Sequence, residues 1–76
     1  MSKLPQLITT KNCPKCKLIK EYMAQKDFAY EVIEAEKNMK LCRNLGIMIA
    51  PTMLVYHQDR IEQFIGFEAI QKFIDK

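Results

Sequence analysis

The residues best suited to chemistry are two cysteines separated by two positions, in the segment Cys13-Pro14-Lys15-Cys16. A Cys-x-x-Cys motif has three common meanings: part of a structural zinc site, a haem attachment site, or a redox dithiol. A zinc site usually takes two more ligands of the same kind, and the chain offers only Cys42 and His57. A haem attachment site requires histidine directly after the second cysteine, where Lys17 stands. The motif therefore predicts a redox dithiol that needs no metal or other cofactor.

The neighbouring residues predict different roles for the two thiols. Pro14 suits the first turn of a helix, so Cys13 would lie at the helix N-cap, where free backbone N–H groups and the helix dipole favour a thiolate. Positive charge acts in the same direction and is supplied by Lys11, Lys15 and Lys17. Cys16 lies one turn further on, on the same helix face as Ile19 and Met23. We expect Cys13 to attack a disulfide and the more buried Cys16 to resolve the mixed disulfide.

Hydrophobic patterning predicts the elements that hold this dithiol. The first half of the chain reads as a strand over Leu4–Thr10, a helix from Pro14 to about Lys26, and an alternating strand over Phe28–Ala35. The helix carries an apolar stripe of Leu18, Ile19, Tyr22 and Met23. The second half reads as a helix over Lys37–Leu45 capped by Gly46, a central strand over Met53–Tyr56, a turn at 57–60, a hairpin partner over Ile61–Ile65, and a closing helix after Gly66. The order βαβαββα predicts an α/β fold with a mixed sheet flanked by helices.

Size and charge limit the remaining possibilities. The 76 residues suffice for one domain, predicted over 1–76, and 49% of them are apolar. A net charge of +3 with acidic residues throughout gives no indication of nucleic-acid binding. The start of the chain lacks the apolar run of a signal peptide, and the longest apolar stretch, Ile47–Tyr56, is too short to span a membrane. We expect a cytoplasmic monomer with no membrane partner.

Two segments and one glycine carry a resemblance to the thioredoxin-fold redoxins, and the resemblance extends over essentially the whole chain. Thr10-Lys11-Asn12-Cys13-Pro14-Lys15-Cys16 is similar to the glutaredoxin active-site segment. Gly46-Ile47-Met48-Ile49-Ala50-Pro51-Thr52 resembles the thioredoxin stretch that leads into a cis-proline facing the dithiol, and Gly66 also fits the family pattern. The resemblance implies a thioredoxin-like fold with a four-stranded sheet. It also implies thiol–disulfide oxidoreductase activity on protein disulfides, with substrate-contacting residues Lys11, Pro14, Lys15, Ala50 and Pro51.

Departures from the glutaredoxin pattern bear on the electron source. Lys15 replaces the usual aromatic residue, Ile49-Ala50-Pro51 replaces Thr-Val-Pro, and Gly66-Phe67-Glu68-Ala69 replaces the glutathione-binding Gly-x-Asp-Asp. The chain looks more like short glutaredoxin-like proteins that donate electrons to ribonucleotide reductase and are recharged by thioredoxin reductase, a flavoenzyme. A miniature thioredoxin is a nearly equal description. The alternatives are a glutathione-dependent glutaredoxin, a thiol-based metal or iron–sulfur carrier, and a redox-inactive adaptor.

The other sulfur and imidazole side chains have simpler interpretations. Free cysteine is commonly buried, so Cys42 is predicted to be a small core residue. Methionine often fills gaps in cores, which is the role predicted for Met23, Met39, Met48 and Met53. His57 is predicted to be a solvated residue of the hairpin turn.

Overall fold

The structure, a computed structural model, describes residues 4–75. Its elements are β1 (Gln6–Thr9), α1 (Pro14–Gln25), β2 (Glu31–Glu34), a short 3-10 helix (Ala35–Lys37), α2 (Met39–Leu45), β3 (Thr52–Tyr56), β4 (Ile61–Ile65) and α3 (Phe67–Ile74). The predicted order βαβαββα is confirmed, with the 3-10 helix as an addition. The domain prediction also covered residues 1–3 and 76, which lie outside the described residues.

The four strands form one mixed sheet in the order β2-β1-β3-β4. Strand β1 runs parallel to β2 and antiparallel to β3, and β3 and β4 form an antiparallel hairpin. Ile8, near the end of β1, pairs with Thr52 at the start of β3. The loop that follows β1 and the segment that precedes β3 therefore meet at the same edge of the sheet, which is where Cys13 and Pro51 are found.

Helices cover both faces of the sheet, because successive strand side chains point to opposite sides. On one face, α1 and α3 pack on β1 and β3 through fully buried side chains: Leu7, Ile19, Met23, Met53 and Ile70. On the other face, α2 contributes Cys42, which packs with Ile8 and Leu54. The prediction that Cys42 belongs to the core is confirmed, since it is 8% exposed.

Strand β1 and helix α2 each begin two residues later than predicted, and two other elements differ more from the prediction. Strand β2 is shorter than the predicted Phe28–Ala35, because Phe28 and Tyr30 reach the core from the connecting segment before the strand. As an edge strand, β2 leaves Val32 exposed. Helix α1 buries Cys16, Ile19 and Met23, which have the i, i+3, i+7 spacing of one helix face. Leu18 of the predicted stripe lies off that face and is exposed. Within residues 4–75 no helix combines the length and apolar character needed to cross a bilayer.

The methionines divide into two groups. Met23 and Met53 are fully buried, as predicted, but the prediction is wrong for Met39 and Met48, which are 61% and 93% exposed. They lie on α2 and on the loop before β3, where no further layer covers them. His57 is exposed at the hairpin turn, as predicted, and its ring contacts the Glu62 carboxylate at 3.0 Å.

Candidate functional site

Cys13 caps the N-terminus of α1. Its backbone is extended, with φ −129° and ψ 94°, and its Sγ accepts a hydrogen bond from the Cys16 N–H at 3.1 Å. The Cys13 carbonyl accepts the first helical bond, from the Lys17 N–H at 3.3 Å. Pro14 occupies the first helical turn, where its missing N–H leaves no helical bond unmade. The backbone therefore directs a donor at the Cys13 sulfur, where it would stabilise a thiolate.

Cys16 lies on the buried face of the same helix. It is 3% exposed and shares that face with Ile19 and Met23. The two cysteines form a disulfide, with their Cα atoms 5.2 Å apart. Since Cys13 is only half-buried, an incoming molecule can reach Cys13 but not Cys16. This asymmetry is what the predicted division into an attacking and a resolving thiol requires, and the division itself stays a prediction.

A groove of about 560 Å³ opens beside Cys13. Its walls come from the β1–α1 loop, the start of α1 and the segment before β3: Thr10, Asn12, Cys13, Pro14, Lys15, Met48 and Ala50. Three residues predicted to contact substrate, namely Pro14, Lys15 and Ala50, are thus brought together around the thiol. Lys11 is not among the wall residues of this groove.

Hydrogen bonds hold the segment before β3 in place. The Ala50–Pro51 peptide bond is cis, as predicted. Pro51 is buried, and its carbonyl accepts the Gly66 N–H at 2.9 Å. The Thr52 hydroxyl donates to the Ile49 carbonyl. These bonds hold the residues on either side of Ala50, so its position beside Cys13 is determined by the fold.

The loop that carries Cys13 is also fastened from the other side. The Lys11 backbone N–H donates to the Glu36 Oε2 at 3.0 Å, joining segments 25 residues apart. This hydrogen bond, with lesser help from the glutamate's own backbone N–H and the positive charge of Lys11, holds the pKa of the exposed Glu36 carboxyl below its usual value. Glu36 is therefore ionised at neutral pH and holds the loop through a charge-assisted bond.

A second groove of about 480 Å³ lies on the opposite side of Lys15. It is lined by Lys15, Leu18, Ile65, Gly66, Phe67 and Glu68. The segment compared above with the glutathione-binding signature forms part of its wall. Within the described residues, no cluster of three or more histidine, cysteine, aspartate or glutamate side chains could hold a metal ion.

Sequence reasoning missed three contributors to the site: Met48, Thr52 and Glu36. Met48 is predicted to be a core residue, and Thr52 is named only as the last residue of the segment that resembles the thioredoxin stretch. A hydroxyl directly after Pro51 was the one available signal, since a threonine at a strand start can bond to a nearby carbonyl. No local pattern could have linked Glu36 to Lys11, because the two come together only through the parallel pairing of β1 and β2.

Comparison with solved structures identifies the fold. A mutant of a thioredoxin-like protein superposes with a TM-score of 0.66 at 19% identity, covering 90% of this chain and 95% of its own. A malarial protein superposes with a TM-score of 0.64 at 17% identity, covering 93% of this chain and 91% of its own. No protein-family model matches the chain, and no curated protein matches it in sequence. The chain thus has a thioredoxin-like fold with a Cys-x-x-Cys pair at disulfide distance, as the resemblance implied.

Proposed function

We propose that this protein is a thiol–disulfide oxidoreductase that reduces disulfides in other proteins through Cys13 and Cys16. The observation that carries the proposal is the asymmetry of the pair. Cys13 is half-buried at a helix N-cap, receives an N–H donor at its sulfur and lines a groove, whereas Cys16 is buried at bonding distance. A purely structural disulfide closing such a small loop would add little stability, so a redox role for the pair is the stronger explanation.

The reaction follows from this geometry in two exchange steps. The Cys13 thiolate attacks one sulfur of a target disulfide, forms an intermolecular disulfide and releases the other target sulfur as a thiolate, which takes up a proton. Cys16 then loses its proton and attacks the Cys13 sulfur. This second step releases the remaining target thiol and leaves the Cys13–Cys16 disulfide. Two electrons pass from the dithiol to the target, and the disulfide observed here is the oxidised product.

Two electron donors could return the pair to the dithiol. Lys15, Ile49 and the Gly66-Phe67-Glu68-Ala69 segment depart from the glutathione-binding pattern, which favours a thioredoxin-reductase-type flavoenzyme using NADPH. Glutathione is the second candidate, because the groove between Lys15 and Glu68 lies where a glutathione-binding site would be expected. Cytoplasmic location, a monomeric state and ribonucleotide reductase as a target belong to the same proposal and await test.

A coupled assay separates these possibilities. The protein is supplied with a protein disulfide such as insulin and with either NADPH and thioredoxin reductase, or glutathione, glutathione reductase and NADPH. We expect NADPH oxidation in the first mixture to exceed that in the second. Cys13→Ser should abolish the activity, and Arg60→Gln, at the exposed turn between β3 and β4, serves as the control that should keep it. Faster turnover with glutathione would reverse the donor assignment, and inactivity in both mixtures would contradict the oxidoreductase proposal.

A further inference from the structure

Met48 is the meeting point of adjoining grooves. It is 93% exposed and forms part of the wall of the Cys13 groove. It also forms part of the wall of a groove of about 470 Å³ between α2 and the loop before β3. We call it the α2 groove, and it is lined by Ala35, Met39, Cys42, Arg43, Gly46, Ile47 and Met48. An apolar surface therefore continues from the reactive thiol past Met48 onto α2.

The charged residues in the walls of these two grooves have one sign. The Cys13 groove includes Lys15 and the α2 groove includes Arg43, and neither groove has a carboxylate among its wall residues. Arg43 is exposed at the C-terminal turn of α2, where a cation can approach a bound acidic group. The two grooves together complement a chain segment that combines an apolar side chain with a negative charge.

From this continuity we propose that the α2 groove is a second contact site for the protein substrate, which selects disulfides with an apolar and an acidic side chain within a few residues of the reacting cysteine. The proposal rests on the proposed function, in that Cys13 engages the substrate cysteine. The substrate segment passes Met48, places the apolar side chain against Met39 and Ile47, and pairs its carboxylate with Arg43. Methionine suits this role because its flexible thioether adapts to differently shaped apolar partners.

The test uses a trapped complex. In the Cys16→Ser variant, Cys13 can form a mixed disulfide with a peptide cysteine but cannot resolve it. Two peptides carry a Leu-Glu pair, one a few residues after the cysteine and one a few residues before it, and each has a control peptide with Ser-Gln in place of that pair. For each peptide we compare the equilibrium constant for exchange of its mixed disulfide with glutathione. We expect the Leu-Glu peptide of one orientation to be favoured by about fivefold, as a small apolar contact and an exposed ion pair would give. Met48→Ala and Arg43→Gln should each reduce that preference.

Matched controls lie at the far hairpin turn, where Ile61→Ala and Arg60→Gln remove an exposed apolar residue and an exposed cation without approaching the dithiol. These variants should retain the full preference. Methionine-methyl NMR adds an independent readout. In the trapped complex the Met39 and Met48 signals should shift, while those of Met23 and Met53, which are 0% exposed, should not.

The outcomes separate the two proposals. Equal trapping of all peptides, or an unchanged Met39 signal in the trapped complex, would overturn the α2 groove while leaving disulfide reduction intact. Failure of every peptide to react with Cys13 would refute the proposed function, and this second contact site with it.

Discussion

Replacing Cys42 by alanine tests whether the third thiol has only a packing role. Its side chain is 8% exposed and packs between Ile8 and Leu54, which are 1% and 0% exposed. Removing the sulfur loses the burial of one atom and leaves a small void, which costs about 1 kcal/mol. For a domain of this size, that cost lowers Tm by roughly 4–8 °C.

The assay combines thermal unfolding, followed by circular dichroism, with turnover of a small symmetric disulfide that does not reach the α2 groove. Turnover of Cys42→Ala should stay close to that of the parent at a temperature where both are folded. Cys42→Ser is the informative companion, since it keeps a γ atom but replaces the sulfur by a smaller hydroxyl among apolar neighbours. Without a partner that hydroxyl costs about 1–3 kcal/mol, so serine should destabilise at least as much as alanine.

Two results would refute this reasoning. If Cys42→Ala lost turnover while its unfolding transition stayed within the expected range, the thiol would take part in the chemistry. If serine proved milder than alanine, the site would be polar rather than apolar, and the assignment of Cys42 to the core would be wrong.

Three further predictions concern the reactive loop and its supports. Alkylation of the reduced protein at mildly acidic pH should label Cys13 before the two buried cysteines, and first labelling of either other thiol would contradict its assigned role. Pro51→Ala should weaken substrate turnover in folded protein, because the buried Pro51 directly follows the groove residue Ala50 and anchors the segment through Gly66; full activity would remove the docking role of that segment. Because the pKa of Glu36 is lowered in the folded protein, its bond to the Lys11 N–H should be intact at neutral pH and lost as the pH falls through that lowered pKa. Amide exchange at Lys11, relative to its intrinsic rate, should therefore rise at acidic pH. In Glu36→Ala the exchange should already be fast at neutral pH and should not rise further on acidification. An exchange rate in that variant equal to the parent's at neutral pH would show that the carboxylate does not protect the loop.

Local rules predicted the elements whose ends are determined by single residues. Helix α1 begins at Pro14, and α2 ends where Gly46 adopts a φ of 68°, in the left-handed region that glycine tolerates. The dithiol was readable for the same reason, since its motif and its helix N-cap are adjacent in sequence. The proximity of Ala50 to Cys13 came from the family resemblance, because composition and periodicity do not indicate which loops meet.

The errors come from tertiary context. The core role predicted for Met39 and Met48 rests on residue type, since methionine often fills gaps in cores. Residue type does not show whether another layer will cover a side chain, and both are exposed. Alternation suggested a strand beginning at Phe28, whereas packing of that ring against Phe73 draws it into the core ahead of the strand. The Lys11–Glu36 bond depends on two strands lying side by side, and neither segment indicates it alone.

The hairpin turn between β3 and β4 offers a practical point of attachment. Strand β3 begins next to Pro51 and ends at Tyr56, which pairs with Ile61 across the turn. Five residues of strand extend about 17 Å, so the turn lies that far from the segment beside the dithiol. A fluorophore or a surface-immobilisation handle placed at residue 58 or 59 would leave the Cys13 groove and the α2 groove open. The protein could then be fixed to a sensor surface with its reactive end facing solution.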